Sequence, residues 1–316
     1  MSPLVSVLIP MYNAEAWIAS TLRCVCSQTW PHLEAIVVDD GSTDGSLEIA
    51  REFERAKVKV IHQENQGACA ARNRALRYAQ GDYIQYLDAD DLMEADKIEL
   101  QMERLATVSS RTVAAAPWAR FYKEIGDGPH PPIPKVWPHE NPIDWLIAER
   151  SGNGMMPPLG WLTPRELVEE AGPWDESLLR NQDGEYFTRV LQHADQIVFC
   201  PEACVYYRSG LPNSVSGRRS PEAVRSSYRA ARSIIQVMRR LEDSPRVRQA
   251  CAYFMQGVVY EAYPHVPDVV RKAEKEVSTL GGSARTPKGG QLFRWFGKAF
   301  GWKAALALRY FYRQLV

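Results

Sequence analysis

Four short runs rich in β-branched and aromatic residues punctuate the start of the chain, LVSVLI at 4–9, AIVV at 35–38, VKVI at 58–61 and YIQYL at 83–87. Runs of that length and content are strands buried on both faces. The stretches between them read as helices. In the first, Ile18, Leu22 and Val25 recur at i, i+4 and i+7, with Asn13 as its expected cap. The second is expected from about Thr43 to Arg55, and the third, GACAARNRALRYA, carries Arg72, Arg74 and Arg77. A β-α-β-α-β-α-β order implies an α/β fold with a parallel sheet wrapped by helices through right-handed crossovers.

From about 112 to 215 the pattern turns irregular and rich in Pro, Gly and Trp. GDGPHPPIPKVWPHENP (126–142) reads as a long surface loop. A helix is expected at DGEYFTRVLQHA and a strand-turn-strand at IVFCPEACVYYRS (197–209), and beyond about 218 the chain reads as mostly helical. The expected division is a catalytic region 1–215, with halves 1–105 and 106–215, followed by a helical region 216–316. A formal net charge of zero argues against nucleic acid as a partner. Six cysteines without CxxC spacing read as free thiols in a reducing compartment. MSPLVSVLIP has no basic lead or cleavage site, and no apolar run approaches the roughly 18–20 residues that span a bilayer. A cytoplasmic chain is expected.

In a parallel α/β sheet, ligands bind beyond the carboxyl ends of the strands. Strand one ends in PMYN (10–13), strand two in DDGSTDG (39–45) and strand four in DADD (88–91). Taken alone, DDGSTDG reads equally well as turn and helix-cap chemistry. Two acidic clusters on one rim, opposite the helix that carries Arg72, are harder to assign to capping. Closely spaced carboxylates suit a hard divalent cation, Mg²⁺ or Mn²⁺, that bridges to phosphate oxygens. Asp40 is placed to accept a hydrogen bond from a nucleobase.

The segments VSVLIPMYNAEAWIASTLRCVCSQTW, EAIVVDDGSTDGSLEIA, QGACAARNRAL and GDYIQYLDADDL together resemble the nucleotide-binding half of the family 2 glycosyltransferases. The likeness is strong over about 4–105 and looser to about 208. It implies the GT-A fold, Rossmann-like with a mostly parallel central sheet flanked by helices, here with a C-terminal helical extension. It also implies a nucleotide-diphosphate-sugar donor, a divalent metal and transfer with inversion. Carried over by position, Pro10, Tyr12, Asp40, Arg72, Asp88 and Ala89 would contact the nucleotide, and Asp90, with Asp88, the metal. In AGPWDESLLRNQDGEYFTRVL, residues Gly172, Trp174, Asp175 and Glu176 match the family pattern and Asp183 takes the place of the catalytic base. Gln182 stands where Glu is usual, and an N-cap of the following helix is the plain alternative for Asp183. Tyr207 and Arg208 match a loop that contacts phosphate in the family, but no His follows at its usual place.

One base suffices for such a transfer, because a nucleoside diphosphate leaves without protonation once its charge is neutralised. Trp161 offers a platform for an acceptor sugar, or else belongs to the core; Gln182 is a second acceptor candidate. The acceptor is expected to be a saccharide or a lipid-linked one, as in surface polysaccharide or glycolipid assembly. Residues 285–316 carry seven Lys or Arg, no acidic residue and interleaved aromatics. Such a helix suits the inner face of an anionic membrane, or packs on the catalytic region or on a second subunit of a homodimer. Two other classes stay open: a sugar-nucleotide-binding protein without transfer, and a nucleotidyltransferase. The latter wants a Gly-rich phosphate loop after strand one, where PMYNAEAW has none.

Overall fold

In the computed structural model, which describes residues 2–55, 57–129, 140–211, 217 and 220–315, the four apolar runs are strands. They are β1 (Val5–Met11), β2 (Leu33–Asp40), β3 (Val58–Gln63) and β4 (Tyr83–Tyr86), separated by helices α1 (Ile18–Cys26), α2 (Ser46–Glu52) and α3 (Ala68–Tyr78). Next come β5 (Leu92–Met93), α4 (Lys97–Leu105), β6 (Thr112–Ala115), β7 (Trp118–Phe121), α5 (Pro142–Ala148), β8 (Trp161–Pro164) and α6 (Arg165–Ala171). Then follow α7 (Gln182–Leu191), β9 (Gln196–Phe199), β10 (Val205–Arg208), α8 (Pro221–Leu241), α9 (Pro245–Ala262), α10 (Pro267–Thr279) and α11 (Gln291–Leu315).

The chain falls into two compact units. The first comprises 1–145, 154–176 and 186–212, and the second 146–153, 177–185 and 213–316. The first unit holds a seven-stranded sheet in the order β3-β2-β1-β4-β8-β6-β9, in which β8 alone runs against its neighbours. The same unit holds a second, three-stranded sheet in the order β5-β10-β7. Every residue of β1 is buried, as the central strand of such a sheet must be. Trp145, Trp161, Trp174, Tyr86 and Tyr186 are among its largest fully buried side chains.

The structure departs from the expected elements at identifiable points. Asn13 does not cap α1: its φ of 47° is left-handed, and its Oδ1 accepts from the Thr43 N–H at 2.8 Å. The helix begins five residues later, with Ile18, Leu22 and Val25 buried as the spacing requires. The second helix is shorter than 43–55 because Ser42, Thr43 and Asp44 are engaged with the β1–α1 loop. The region read as irregular contains β6, β7, β8, α5 and α6. Segment 197–209 does form two strands, but β9 and β10 join different sheets rather than each other. Of the expected surface loop 126–142, residues 130–139 lie outside the described residues.

The second unit is helical. Ser220 caps α8 by accepting from the Ala223 N–H at 3.2 Å, Ser244 caps α9 from Val247 at 3.4 Å, and a proline opens each helix. The last helix turns at Gly301, whose φ of 83° suits only glycine. Beyond that turn Trp302 packs edge-on against Tyr260 and Tyr263, and Ala305 and Leu306 are buried. Trp295, Phe300, Leu308, Phe311 and Tyr312 of the same helix are each more than half exposed. Among the described residues no helix is long and apolar enough to cross a membrane.

Candidate active site

Parallel pairing of β1, β2, β3 and β4 delivers their carboxyl ends to one rim of the first unit. There Leu87 donates to the Leu8 carbonyl at 3.0 Å, and the chain turns so that the Asp91 N–H reaches the Asp88 carbonyl at 3.1 Å. Thr21 on α1 holds this turn from below, its hydroxyl within reach of the Ala89 carbonyl at 2.9 Å and the Asp91 carbonyl at 3.0 Å. Three carboxylates are thus fixed side by side with different surroundings. Asp88 is the most open and pairs with Arg72 Nη2 at 2.6 Å. Burial, then the charge of Asp88, pushes the Asp90 carboxyl up to about 6. Asp91 is buried, its Oδ1 accepts from the Arg208 N–H at 2.8 Å, and burial raises it well above the ordinary carboxylate range.

Positive charge reaches this cluster from two sides. Arg72, on α3, lies with its guanidinium carbon 4.5 Å from the centre of the Trp174 ring, which stacks in turn on Tyr186 at 4.0 Å. Arg208, at the end of β10, is sandwiched between Trp17 and Phe121 at 4.1 and 4.2 Å. Its Nε donates to the Asp90 carbonyl and its Nη1 to the Tyr122 carbonyl. Both donors brace the acidic turn and the segment beside it.

At the neighbouring strand ends, Pro10 is buried and Tyr12 is half exposed. Asp40 is 3% exposed, and both its oxygens are engaged: Oδ1 accepts from Gln63 Nε2 at 2.7 Å and Gln66 N–H at 2.8 Å, and Oδ2 from Gly67 N–H at 2.8 Å. These bonds anchor the loop that leads into α3. Gly41 is required beside it, because its φ is 74° and a Cβ would stand 2.9 Å from the Asn65 nitrogen. Most of DDGSTDG serves the turn: Asn13 and Glu15 of one loop exchange hydrogen bonds with Ser42, Thr43, Asp44 and Gly45 of the other.

The sequence reading missed two groups here. Asp39, fully buried, is paired with His62 Nδ1 at 2.7 Å. Only the β2–β3 register, which puts these residues opposite each other, could have found it. Asn73 bonds the segment that carries Trp174 through Trp174 N–H at 2.8 Å, Trp174 carbonyl at 2.9 Å and Glu176 Oε1 at 2.8 Å. Trp161, considered above as a sugar platform, is 1% exposed, stacked on Phe187 and edge-on to Trp145; it is a core residue.

In the second unit, Asp183 is the second residue of α7 and therefore inside its first turn, not its cap. Gln182, the first, donates its side-chain amide to the Leu178 carbonyl. The turn is held by Arg150, which donates to the Gly184 carbonyl at 3.0 Å and pairs with Glu149 at 3.2 Å. Burial pushes the Glu149 carboxyl up; Arg150 opposes that shift and the charge of Asp183 adds to it. Glu149 was not foreseen from the sequence, since nothing local links it to α7. A second carboxylate does accompany Asp183, although it is not at position 182.

Whether the rim suits a divalent cation can be asked of its donors. Asp88 and Asp90 offer hard oxygens only, and their mutual repulsion is what a cation would relieve. Among the described residues no group of three or more His, Cys, Asp or Glu is arranged to hold an ion. Two carboxylates are donors of the type that Mg²⁺ or Mn²⁺ takes and are too few for a closed structural site.

A mostly parallel sheet with an acidic turn beyond its fourth strand, continued by a mixed half and trailing helices, is the GT-A type of fold. The family model described as Glycosyl transferase family 2 matches residues 6–170, over half of the chain, and the chain belongs to that family. Among relatives, EpsJ of Bacillus subtilis (strain 168), an uncharacterized glycosyltransferase, is 29% identical over 224 residues, 68% of this chain and 64% of its own length. TuaG of the same organism, a glycosyltransferase proposed for teichuronic acid biosynthesis, is 47% identical over 104 residues, 32% of this chain and 41% of its own. The chain thus spans less than two thirds of either relative. Among solved structures, S. aureus TarS 1–349 in complex with UDP-GlcNAc superposes with a TM-score of 0.62 at 19% identity, covering 90% of this chain and 94% of that one. The mannosyltransferase PcManGT from Pyrobaculum calidifontis, in complex with GDP-Man and Mn2+, gives 0.56 at 18% identity, covering 97% and 85%. At these identities the likeness is one of fold.

Proposed function

We propose that the chain is an inverting glycosyltransferase that moves a sugar from a nucleotide-diphosphate donor, UDP-sugar in preference, to an acceptor hydroxyl during surface-polysaccharide or glycolipid assembly. The observation that carries this is the Asp88–Asp91 turn, where three carboxylates are held at one strand end against Arg72 and Arg208. Repulsion of that kind is tolerated where a function needs it. A divalent cation held by Asp90 and Asp88 would neutralise charge on the departing diphosphate. Arg72 would hold a diphosphate oxygen, and Pro10, Tyr12 and Ala89 would shape the nucleoside pocket. Asp40 would line that pocket too and accept from a base N–H, at the head of the loop it anchors. Family membership, the names of EpsJ and TuaG, and the UDP-GlcNAc and GDP-Man of the structural neighbours support this class of substrate.

Asp183 is the proposed base. Its carboxylate takes the proton from the acceptor hydroxyl as that oxygen bonds to the anomeric carbon, and the bond from that carbon to the diphosphate oxygen breaks with its electron pair leaving on the diphosphate. Gln182 would lie on the acceptor side. Asp183→Asn should lower turnover by roughly 10²–10⁴-fold, the usual worth of a general base, with donor affinity unchanged by thermal shift. Turnover close to wild type would remove Asp183 from the role; loss of donor affinity would instead mark it as a binding residue. We further propose that the exposed aromatics of α11 touch the inner face of a membrane.

A further inference from the structure

We infer that the second unit carries an anion site, separate from the donor rim, that takes a phosphate-bearing ligand. The site is a cavity of about 430 Å³ whose lining includes Arg180, Arg285, Lys288, Arg309 and His265, with Glu261 the one carboxylate among them. Glu261 is already paired with Arg180. Arg285 is fixed by a 3.1 Å bond to the Tyr253 carbonyl and by its seat over the Tyr253 ring. Arg309 donates to the Lys288 carbonyl at 2.8 Å and lies over Phe293. The main chain and aromatic faces thus position these guanidinium groups. Arg285 and Lys288 have no ion-pair partner among the described residues.

Cations gathered around one cavity repel each other unless an anion joins them, and guanidinium forks match the oxygens of phosphate. His265 adds a further polar group. Its ring stacks on Tyr310 at 5.5 Å and 5°, and its Nδ1 is buried without a hydrogen-bond partner among the described residues. The volume exceeds what a bare phosphate needs and falls in the ordinary range of small-molecule sites. Tyr260 and Tyr263, also in the lining, suit an attached ring or chain. The ligand is therefore a phosphate or diphosphate with a substituent, presented either by a lipid headgroup or by a soluble molecule. The inference does not depend on the proposed sugar transfer.

The test is calorimetric titration of the full chain with inorganic pyrophosphate in EDTA, so that a metal-dependent rim contributes nothing. Saturable binding is expected, weakened about tenfold or more by Lys288→Glu, the scale of one lost charge-assisted bond, and unchanged by Asp90→Asn. Arg309→Gln should weaken it likewise, and matched circular dichroism guards against misfolding. Absent binding, or binding that survives Lys288→Glu or disappears with Asp90→Asn, would overturn the site. Flotation with phosphatidylcholine vesicles, with and without phosphatidic acid, separates the two sources. If Lys288→Glu removes the phosphatidic acid dependence, the ligand is a lipid headgroup; if it removes pyrophosphate binding alone, the ligand is soluble.

Discussion

Arg208 shows how one residue sets the character of the acidic turn. It is 6% exposed, lies between two aromatic faces, donates to two carbonyls from separate segments and offers its N–H to Asp91. Removing the guanidinium leaves the Asp90 and Tyr122 carbonyls without these donors and the neighbouring carboxylates less compensated. Arg208→Met should therefore cost roughly 3 kcal/mol of stability, as the sum of cation–π and charged hydrogen-bond contributions. Arg208→Lys should recover part of it, because an ammonium has the charge but not the fork that reaches both carbonyls. Urea denaturation of the three proteins would measure both differences. Equal stability of wild type and Arg208→Met would mean that the turn is held by Thr21 and the main chain alone.

Between β4 and α4 a different charge is buried. Lys97 is fully buried, its ammonium donates to Gln85, and burial lowers its pKa to about 7 from an ordinary 10.5. Between those two values the unfolded chain binds a proton that the folded chain does not. Stability from this group therefore rises with pH across that window, by about 1.4 kcal/mol per unit, and is flat below it. Lys97→Met, similar in length, should abolish the rise between pH 7.5 and 9.5 in denaturation experiments, whatever it does to the absolute stability. A parallel pH dependence in both proteins would show that Lys97 stays charged. The elements that were legible in the sequence are those whose pattern is local and long enough to repeat. The strands β1 to β4 and helix α3 announce themselves, and the acidic turn follows from their order. The strands β6, β7 and β8 have four residues each, too few to display a period between prolines. Asn13 looked like a cap because its type fits one, and only its left-handed backbone assigns it to Thr43. Asp39 with His62, and Glu149 beside Asp183, depend on register and tertiary placement that no local pattern carries.

For the chain as a whole, α11 bears on a choice that composition left open. It packs on its own unit through Trp302, Ala305 and Leu306 and still presents Trp295, Phe300 and Phe311 to the outside. Packing therefore leaves apolar surface on this element that a membrane contact would use. Replacing those three exposed aromatics by Ser should greatly reduce flotation with anionic vesicles and leave the melting temperature within a few degrees, because single exposed positions contribute little to folding. Unaltered flotation would dismiss the membrane role, and so would wild-type protein that never floats. The Asn73 clamp bears on something else, the way such chains can be recombined. It closes a ring of hydrogen bonds with residues 101 and 103 positions downstream. A crossover that joins a third helix lacking this asparagine to the present Trp174 segment would strand the polar groups at both ends of that ring. Helix and segment should therefore be inherited as one block, and hybrid enzymes that respect the block should outlast those that divide it.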